Sequence, residues 1–359
     1  MHVLLLDLGL ELRGGQRQVL YLVRALDRMR EEGEPVEVLA ACPKTGALAA
    51  ALLEENLPCL QLPGRSAANP ALLFKLWRTI RHRHIAILHT HDARAAMVGA
   101  WCKSWFSGIR LVHARRVSYP IRQGLHAKKY FAADAIIGVS HEISEGLIAS
   151  GLPGAKVHTF HSGIDPSQYP PKVERDDGRF VFGAIGALTE QKGFDVLIQA
   201  MSVLADIDDL PPWEVRVIGS GPLFQHLLEF AREQGVENSL AFFGRQDSKL
   251  FLPHFDALLV PSIDGEGSNG AIKEAWTVGI PVVCSSLPSN KELVRDKHNG
   301  LLVPKGNPLA LGAAMLRLIR EPVLRGRLVS NGHKSLESFT DMRMVKDTLA
   351  LYRTLLETP

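Results

Sequence analysis

Only four cysteines occur among 359 residues, Cys42, Cys59, Cys102 and Cys284, and none has a neighbour at metal-ligating or redox spacing. Scattered thiols of this kind are expected to be reduced and mostly buried, in a cytoplasmic protein. The formal net charge is only +3, which gives no electrostatic case for a nucleic-acid partner. No apolar run approaches the roughly 20 residues of a membrane helix. The dinucleotide fingerprint G-x-G-x-x-G is missing, and there is no internal repeat or low-complexity tract. The opening stretch, Met1 to Asp7, is too short and too soon acidic for a secretion signal, and reads as a first strand.

What is present is a globular composition, 46% hydrophobic and 22% charged, with length enough for two domains. Charge is unevenly spread. Residues 1–168 carry 20 Lys and Arg against 14 Asp and Glu, and the remainder 21 against 24. The first half therefore suits something more anionic than the second does. Apolar strand-like runs alternate with helical stretches: Val3–Leu8, a helix over about Gln16–Met29, then Val36–Ala41, Ile85–His89, Leu111–His113, Ala135–Val139 and Val157–Phe160. The rhythm breaks at a Pro- and charge-rich linker, Asp165–Gly178. It restarts with Phe180–Gly186, Glu214–Gly219, Leu240–Phe243, Ala257–Val260, Pro281–Ser285 and Leu301–Val303. Such alternation predicts two α/β, Rossmann-like domains with parallel sheets. Ligands bind beyond the carboxyl ends of strands in such sheets, and two sets of ends can face each other across one cleft.

The most informative segment runs from Pro261 to Ala275. A buried strand leads into a glycine-rich turn and then a helix that stops before Gly279-Ile280-Pro281. Backbone N–H groups at such a helix start lack partners, and the dipole favours an anion. Two carboxylates, Glu266 and Glu274, lie eight positions apart, one expected at the helix mouth and one about two turns in. They suit hydroxyls beside the anion better than the anion itself. Phosphate plus hydroxyls means a sugar nucleotide. A glycosidase pair flanks one bond at about 5–10 Å, whereas eight helical positions span about 12 Å. The two acids are therefore expected to touch different parts of one elongated ligand.

Further motifs stand in order along the chain. Arg13-Gly14-Gly15-Gln16-Arg17 follows the first strand and opens a helix, where glycine lets a ligand approach the backbone. His113 ends a strand and is followed by Arg115 and Arg116. Val139-Ser140-His141-Glu142 and His161-Ser162-Gly163-Ile164-Asp165 close the first half. Gly186-Ala187-Leu188-Thr189-Glu190-Gln191-Lys192-Gly193 opens the second. In these motifs, over nearly its whole length, the chain resembles the glycosyltransferase family 4 (group 1) enzymes of the GT-B fold.

That resemblance implies a retaining transferase that takes a nucleoside-diphosphate sugar as donor and needs no metal or other cofactor. It implies an N-terminal acceptor domain over 1–168, a C-terminal donor domain over 169–340, and a final helix, 341–359, packing back on the first. It assigns Glu274 to the ribose hydroxyls, Glu266 to the transferred sugar, and the backbone of Gly267, Ser268, Asn269 and Gly270 to the sugar and diphosphate. Lys192 stabilises the departing diphosphate, His113 reaches the transferred sugar, and Gly15 and Gln16 approach the donor. Gly14, Arg17, Arg115 and Arg116 serve the acceptor. The family has arginine where this chain has Ala187, which removes a bidentate phosphate contact. Arg17, Arg115, Arg116 and Arg245 are candidates to replace it.

The implied acceptor is a saccharide or lipid-linked saccharide of a bacterial envelope glycan such as lipopolysaccharide. Lys75, Arg78 and Arg81 share a helix with Leu76, Trp77 and Ile80, and allow peripheral contact with the inner face of an anionic membrane. Two other readings stay open: a sugar-nucleotide-binding protein with little catalysis, motivated by Ala187, and an epimerase or hydrolase on the same fold. His89 and His91 alternate along a strand, but as two ligands they do not make a metal site.

Overall fold

The structure is a computed structural model describing residues 1–121 and 124–357. It divides into two compact units. The first comprises Met1–Ile164 with the C-terminal segment from Phe339, and the second Asp165–Ser338.

In chain order the first unit holds β1 (His2–Leu6), α1 (Gly14–Glu31), β2 (Glu37–Pro43), α2 (Ala47–Glu54), β3 (Cys59–Leu62), α3 (Pro70–His82), β4 (Ile87–Thr90), α4 (Ala93–Trp105), β5 (Arg110–Arg115), α5 (Leu125–Phe131), β6 (Ala135–Gly138), α6 (His141–Ala149) and β7 (Val157–Thr159). Its seven strands are parallel in the order β3-β2-β1-β4-β5-β6-β7. The run Val3-Leu4-Leu5-Leu6 shows why a central strand carries no polar face. Val3 and Leu5 pack with α1 on one side, whereas Leu4 and Leu6 pack with α3 and α4 on the other. Alternation sends neighbours to opposite faces, and helices cover both. Each fully buried leucine contributes roughly 2 kcal/mol.

The second unit holds β8 (Phe180–Ile185), α7 (Phe194–Ala205), β9 (Trp213–Ile218), α8 (Phe224–Glu233), β10 (Leu240–Phe242), α9 (Ser248–Phe251), β11 (Ala257–Val260), α10 (Gly270–Val278), β12 (Val282–Ser285), α11 (Pro288–Leu293), β13 (Leu301–Val303), α12 (Pro308–Arg320) and α13 (Pro322–Leu336). Its six parallel strands follow the order β10-β9-β8-β11-β12-β13. The last helix, α14 (Asp341–Glu357), packs on α1, with Met344, Val345, Leu349 and Tyr352 in the core of the first unit.

All expected strands are present, with no end shifted by more than two residues. β3 has no counterpart in the sequence reading, because four residues at a sheet edge, Cys-Leu-Gln-Leu, carry too short a pattern. Both sheets reverse their strand order once, between β1 and β4 and between β8 and β11. Outside such a reversal the following loops diverge and leave a crevice for ligands.

Candidate functional site

In the second unit the loops at the reversal are the two glycine-bearing segments singled out from the sequence. After β8 the chain passes Gly186 and reaches Lys192 in a 3-10 turn, then enters α7 through Gly193. Gly193 sits in the left-handed region at φ 62°, and a Cβ there would stand 2.3 Å from the carbonyl oxygen of Pro261. Only glycine lets the two loops approach so closely. The backbone is further joined where Ile263 N donates to Gln191 O at 2.9 Å.

Side chains complete the join. Lys192 Nζ donates to Glu266 Oε1 at 2.7 Å, and Ser262 Oγ donates to the same oxygen at 2.5 Å. Glu266 is buried, whereas Lys192 is partly exposed. The aliphatic stem of Lys192 runs over Gly186, where a Cβ would lie 3.4 Å from its Cδ. The Cys284 thiol on β12 is held protonated by its burial and by the nearby Glu266 carboxylate.

The second acid is placed differently from expectation. α10 begins at Gly270, capped by the side chain of Asn269, which accepts from Ala271 N at 3.1 Å. Glu266 therefore lies in the loop, four residues before the helix, and Glu274 only just over one turn into it. The helical-rise estimate of their separation does not apply, because half the segment is not helical. Glu274 is half-buried and bends back along the first turn: a Cβ on Gly270 would be 3.9 Å from its Oε1.

Between them lies a group the sequence reading missed. Lys273 is 1% exposed, and its Nζ donates to Ser268 Oγ in the loop at 2.7 Å. The available signal was a lysine between Ile272 and Trp276 on a helix otherwise sunk in the core. The loop over Glu266–Gly270 is thus flanked by two ammonium groups, Lys192 and Lys273. Together with the helix start, these can neutralise an anion, while the acids accept from hydroxyls. Ala187 is exposed, and Arg245 is exposed beyond β10, at the far edge of the sheet.

In the first unit, the reversal between β1 and β4 gathers acids and one arginine. Asp7, buried just past β1, accepts from Gly9 N at 2.8 Å and, through both oxygens, from Gln16 Nε2 at 3.1 Å. Asp92, after β4, caps α4 through Arg94 N and Ala95 N and accepts from Leu8 N. Burial, and then Asp92, push the Asp7 carboxyl above its ordinary range. Arg116 follows β5 with its guanidinium drawn inward: burial brings it down to about 10, against the pull of Asp7. Gly15 lies against it, since a Cβ there would be 3.5 Å from Arg116 Cδ. Gly14 and Gly15 thus open α1, with Gln16 tied to Asp7 and Gly15 beside Arg116. Arg17 is partly exposed in the same turn.

His113 is placed otherwise. β5 continues to Arg115, so His113 lies two residues inside the strand, and its ring is 1% exposed. Its Nε2–H donates to Lys129 O at 2.8 Å, and Nδ1 accepts from the Thr90 hydroxyl. With both nitrogens engaged and burial pulling it down to about 4, it is a neutral internal group and is not presented to a ligand. Arg115 turns to Tyr130 Oη at 2.9 Å and to the carbonyl of Tyr119. His89 and His91 are buried with ring centroids 4.1 Å apart. Both imidazoles are pushed well down by burial, and the neighbouring guanidinium of Arg116 opposes a cation there.

Residues 12–168 match the family described as Glycosyltransferase Family 4, and residues 179–321 that described as Glycosyl transferases group 1. A glycosyltransferase of Methanocaldococcus jannaschii is 30% identical over 287 residues, which is 77% of each chain. The phosphatidyl-myo-inositol mannosyltransferase of Mycobacterium leprae is 25% identical over 365 residues, 95% of this chain and 93% of that protein. The amylovoran biosynthesis glycosyltransferase AmsK of Erwinia amylovora is 31% identical over 208 residues; the matched segment spans 54% of this chain and only 50% of that protein. Among solved structures, Anabaena HepE in complex with UDP aligns over 99% of this chain and 100% of that chain, with a TM-score of 0.83 and 18% identity. That last likeness is one of fold. Two parallel-sheet units with this strand order, matched along the sequence in both halves, establish that the chain belongs to the group 1, family 4 glycosyltransferases and has their GT-B fold.

Proposed function

We propose that this glycosyltransferase takes a nucleoside-diphosphate sugar and transfers the sugar, with retained configuration and without a metal, to a saccharide or lipid-linked acceptor. The observation that carries the donor reading is the Lys192–Glu266 contact across the sheet reversal of the second unit, beside the start of α10. In this reading the diphosphate lies on the backbone of Gly267–Gly270, with Lys192 and Lys273 as its cations. Lys273 supplies the charge that Ala187 lacks. Glu274 accepts from the ribose hydroxyls. Glu266, held by Lys192 and Ser262, faces the transferred sugar.

The bond from the anomeric carbon to the diphosphate oxygen breaks as the acceptor oxygen bonds to the same face of that carbon. The leaving diphosphate takes the acceptor proton. The protein's part is positioning and charge stabilisation. Arg116, with Gly14 and Arg17, serves the acceptor, and the buried His113 does not reach the transferred sugar. An envelope glycan acceptor is supported by the names of the mannosyltransferase and amylovoran relatives. Contact with an anionic membrane surface is supported by α3, which exposes Phe74, Lys75, Trp77, Arg78 and Arg81. Among the described residues no helix is long and apolar enough to cross a membrane.

Ala187 favours one rival, a protein that binds the donor without transfer. The full chain is screened by thermal shift against UDP-, GDP- and ADP-sugars, since a bound ligand stabilises by mass action. The stabilising donor is then incubated with and without oligosaccharide and lipid-linked acceptors. Acceptor-dependent release of the nucleotide is expected. Binding with no release establishes the rival, product without acceptor establishes a hydrolase or epimerase, and no shift with any donor removes the reading.

A further inference from the structure

The first unit contains a small cavity of about 20 Å³, bordered by His89, His91, Arg116, Gln18, Ser162 and Thr348 among others. That is room for one water molecule. Three nitrogens of residues that line it, His89 Nε2, His91 Nε2 and Arg116 Nε, are shut off from solvent and have no hydrogen-bond partner within the protein. The other polar atoms of the same side chains are engaged. His89 Nδ1 lies 2.5 Å from the Tyr352 hydroxyl on α14. His91 Nδ1 lies 3.4 Å from Arg116 Nη2, and Arg116 Nη1 donates to Ser162 Oγ at 3.3 Å.

Donor and acceptor roles follow from the chemistry of the groups. A guanidinium can only donate, so His91 Nδ1 is an acceptor, and the proton of this neutral ring is on Nε2. Two unpaired donors, His91 Nε2–H and Arg116 Nε–H, therefore belong to residues that line the cavity. A water has two lone pairs for them and a proton left for His89 Nε2. His89 then carries its own proton on Nδ1, directed at the Tyr352 oxygen. One molecule within reach of all three orphaned atoms would satisfy them, whereas a dry cavity would leave them buried and unpaired.

We infer that this cavity is a structural water site, and that the water completes a relay from Tyr352 through His89 to Arg116, with Tyr352 and His89 as positioning residues for that guanidinium. The helix that supplies Tyr352 is the last in the chain, 236 positions beyond Arg116. The relay couples the docking of α14 to the direction in which Arg116 points at the end of β5. The water site stands on geometry alone; only the value of Arg116 to an acceptor rests on the function proposed above.

Two measurements on the full chain test it. In a crystal structure, density in this cavity within about 2.7–3.2 Å of the three nitrogens is expected, and an empty cavity overturns the proposal. With arginine labelled with nitrogen-15, the Arg116 Nε–H signal, assigned by its loss in Arg116→Lys, exchanges slowly with solvent. Tyr352→Phe keeps the packed ring and quickens that exchange at least tenfold. His89→Phe, which removes both ring nitrogens, does the same and serves if the first variant does not fold. Parent-like exchange in the variants overturns the positioning role. No sugar nucleotide enters either measurement, so their failure is separate from failure of the functional reading, which Arg116→Gln tests in the transfer assay.

Discussion

Lys192 and Glu266, 74 residues apart in sequence, meet at 2.7 Å, so that one ion pair ties the loop after β8 to the loop after β11. The pair is asymmetric: the acid is buried and the ammonium partly exposed. Removing the cation therefore leaves a buried carboxylate with Ser262, whereas removing the acid frees a lysine that water can reach. Lys192→Met is expected to cost about 1–3 kcal/mol in urea unfolding, with a large loss of turnover. Glu266→Gln is expected to cost less. The double variant should be more stable than the sum of the singles implies, yet stay inactive. Additive losses would show that the pair is not coupled.

Glu274 stands over the first turn of α10 and takes no part in that pair. Glu274→Ala is expected to raise the donor KM tenfold or more, with a smaller change in kcat, because ribose hydroxyls are held alike in the ground and transition states. Steady-state kinetics on the donor found by thermal shift give the split. An unchanged KM removes Glu274 from the nucleotide.

Gly193 and Gly235 share a left-handed backbone, at φ 62° and 67°, but only Gly193 is crowded. Gly235→Ala should cost about 1 kcal/mol, the backbone penalty alone. Gly193→Ala adds a collision with the Pro261 carbonyl. It should cost clearly more in urea unfolding and weaken donor binding by moving the β11 loop. Equal costs for the two would mean that the loops are not in tight contact.

Burial holds His89, His91 and His113 below the ordinary histidine value of 6.5, the last at about 4. The unfolded chain takes up protons below 6.5 that the folded unit refuses. Stability is therefore fully present above that pH and falls as the pH drops from 6.5 toward 4. The loss is about 1.4 kcal/mol per pH unit for each such histidine. Asp7 acts the other way and offsets part of this at the acid end, since its raised carboxyl is protonated more readily in the folded state. Urea midpoints at pH 7.5, 6 and 5 should decline in that order, and His113→Gln should flatten the decline. A flat profile for the parent contradicts the assignment.

On α3, Phe74 and Trp77 stack at 6.1 Å, and Arg81 lies 5.9 Å from the Trp77 ring, all on the outer surface. Rings and cations on one exposed face suit the interface of an anionic bilayer. Co-sedimentation with phosphatidylglycerol-containing vesicles is expected, and little with phosphatidylcholine alone. Phe74→Ser with Trp77→Ser should reduce binding at all salt concentrations. Replacing Lys75, Arg78 and Arg81 by serine should remove mainly its salt-sensitive part. Equal binding to both vesicle types would count against the basic face.

The sequence by itself determined the alternating elements, the division near residue 165 and the two glycine-bearing turns of the second unit. These are local: an apolar run makes a buried strand, and a glycine or a capping residue ends or starts an element wherever it stands. Only the tertiary structure decided which side chains meet. It put Lys192 on Glu266, sank Lys273 beside Ser268, drew Arg116 inward beside Gly15, and carried Tyr352 to His89, 263 residues away. It also turned His113 into an internal hydrogen-bonded group, because β5 runs two residues further than its apolar pattern showed. The burial and partners of a polar side chain depend on what the rest of the fold packs against it, and spacing along one segment does not encode that.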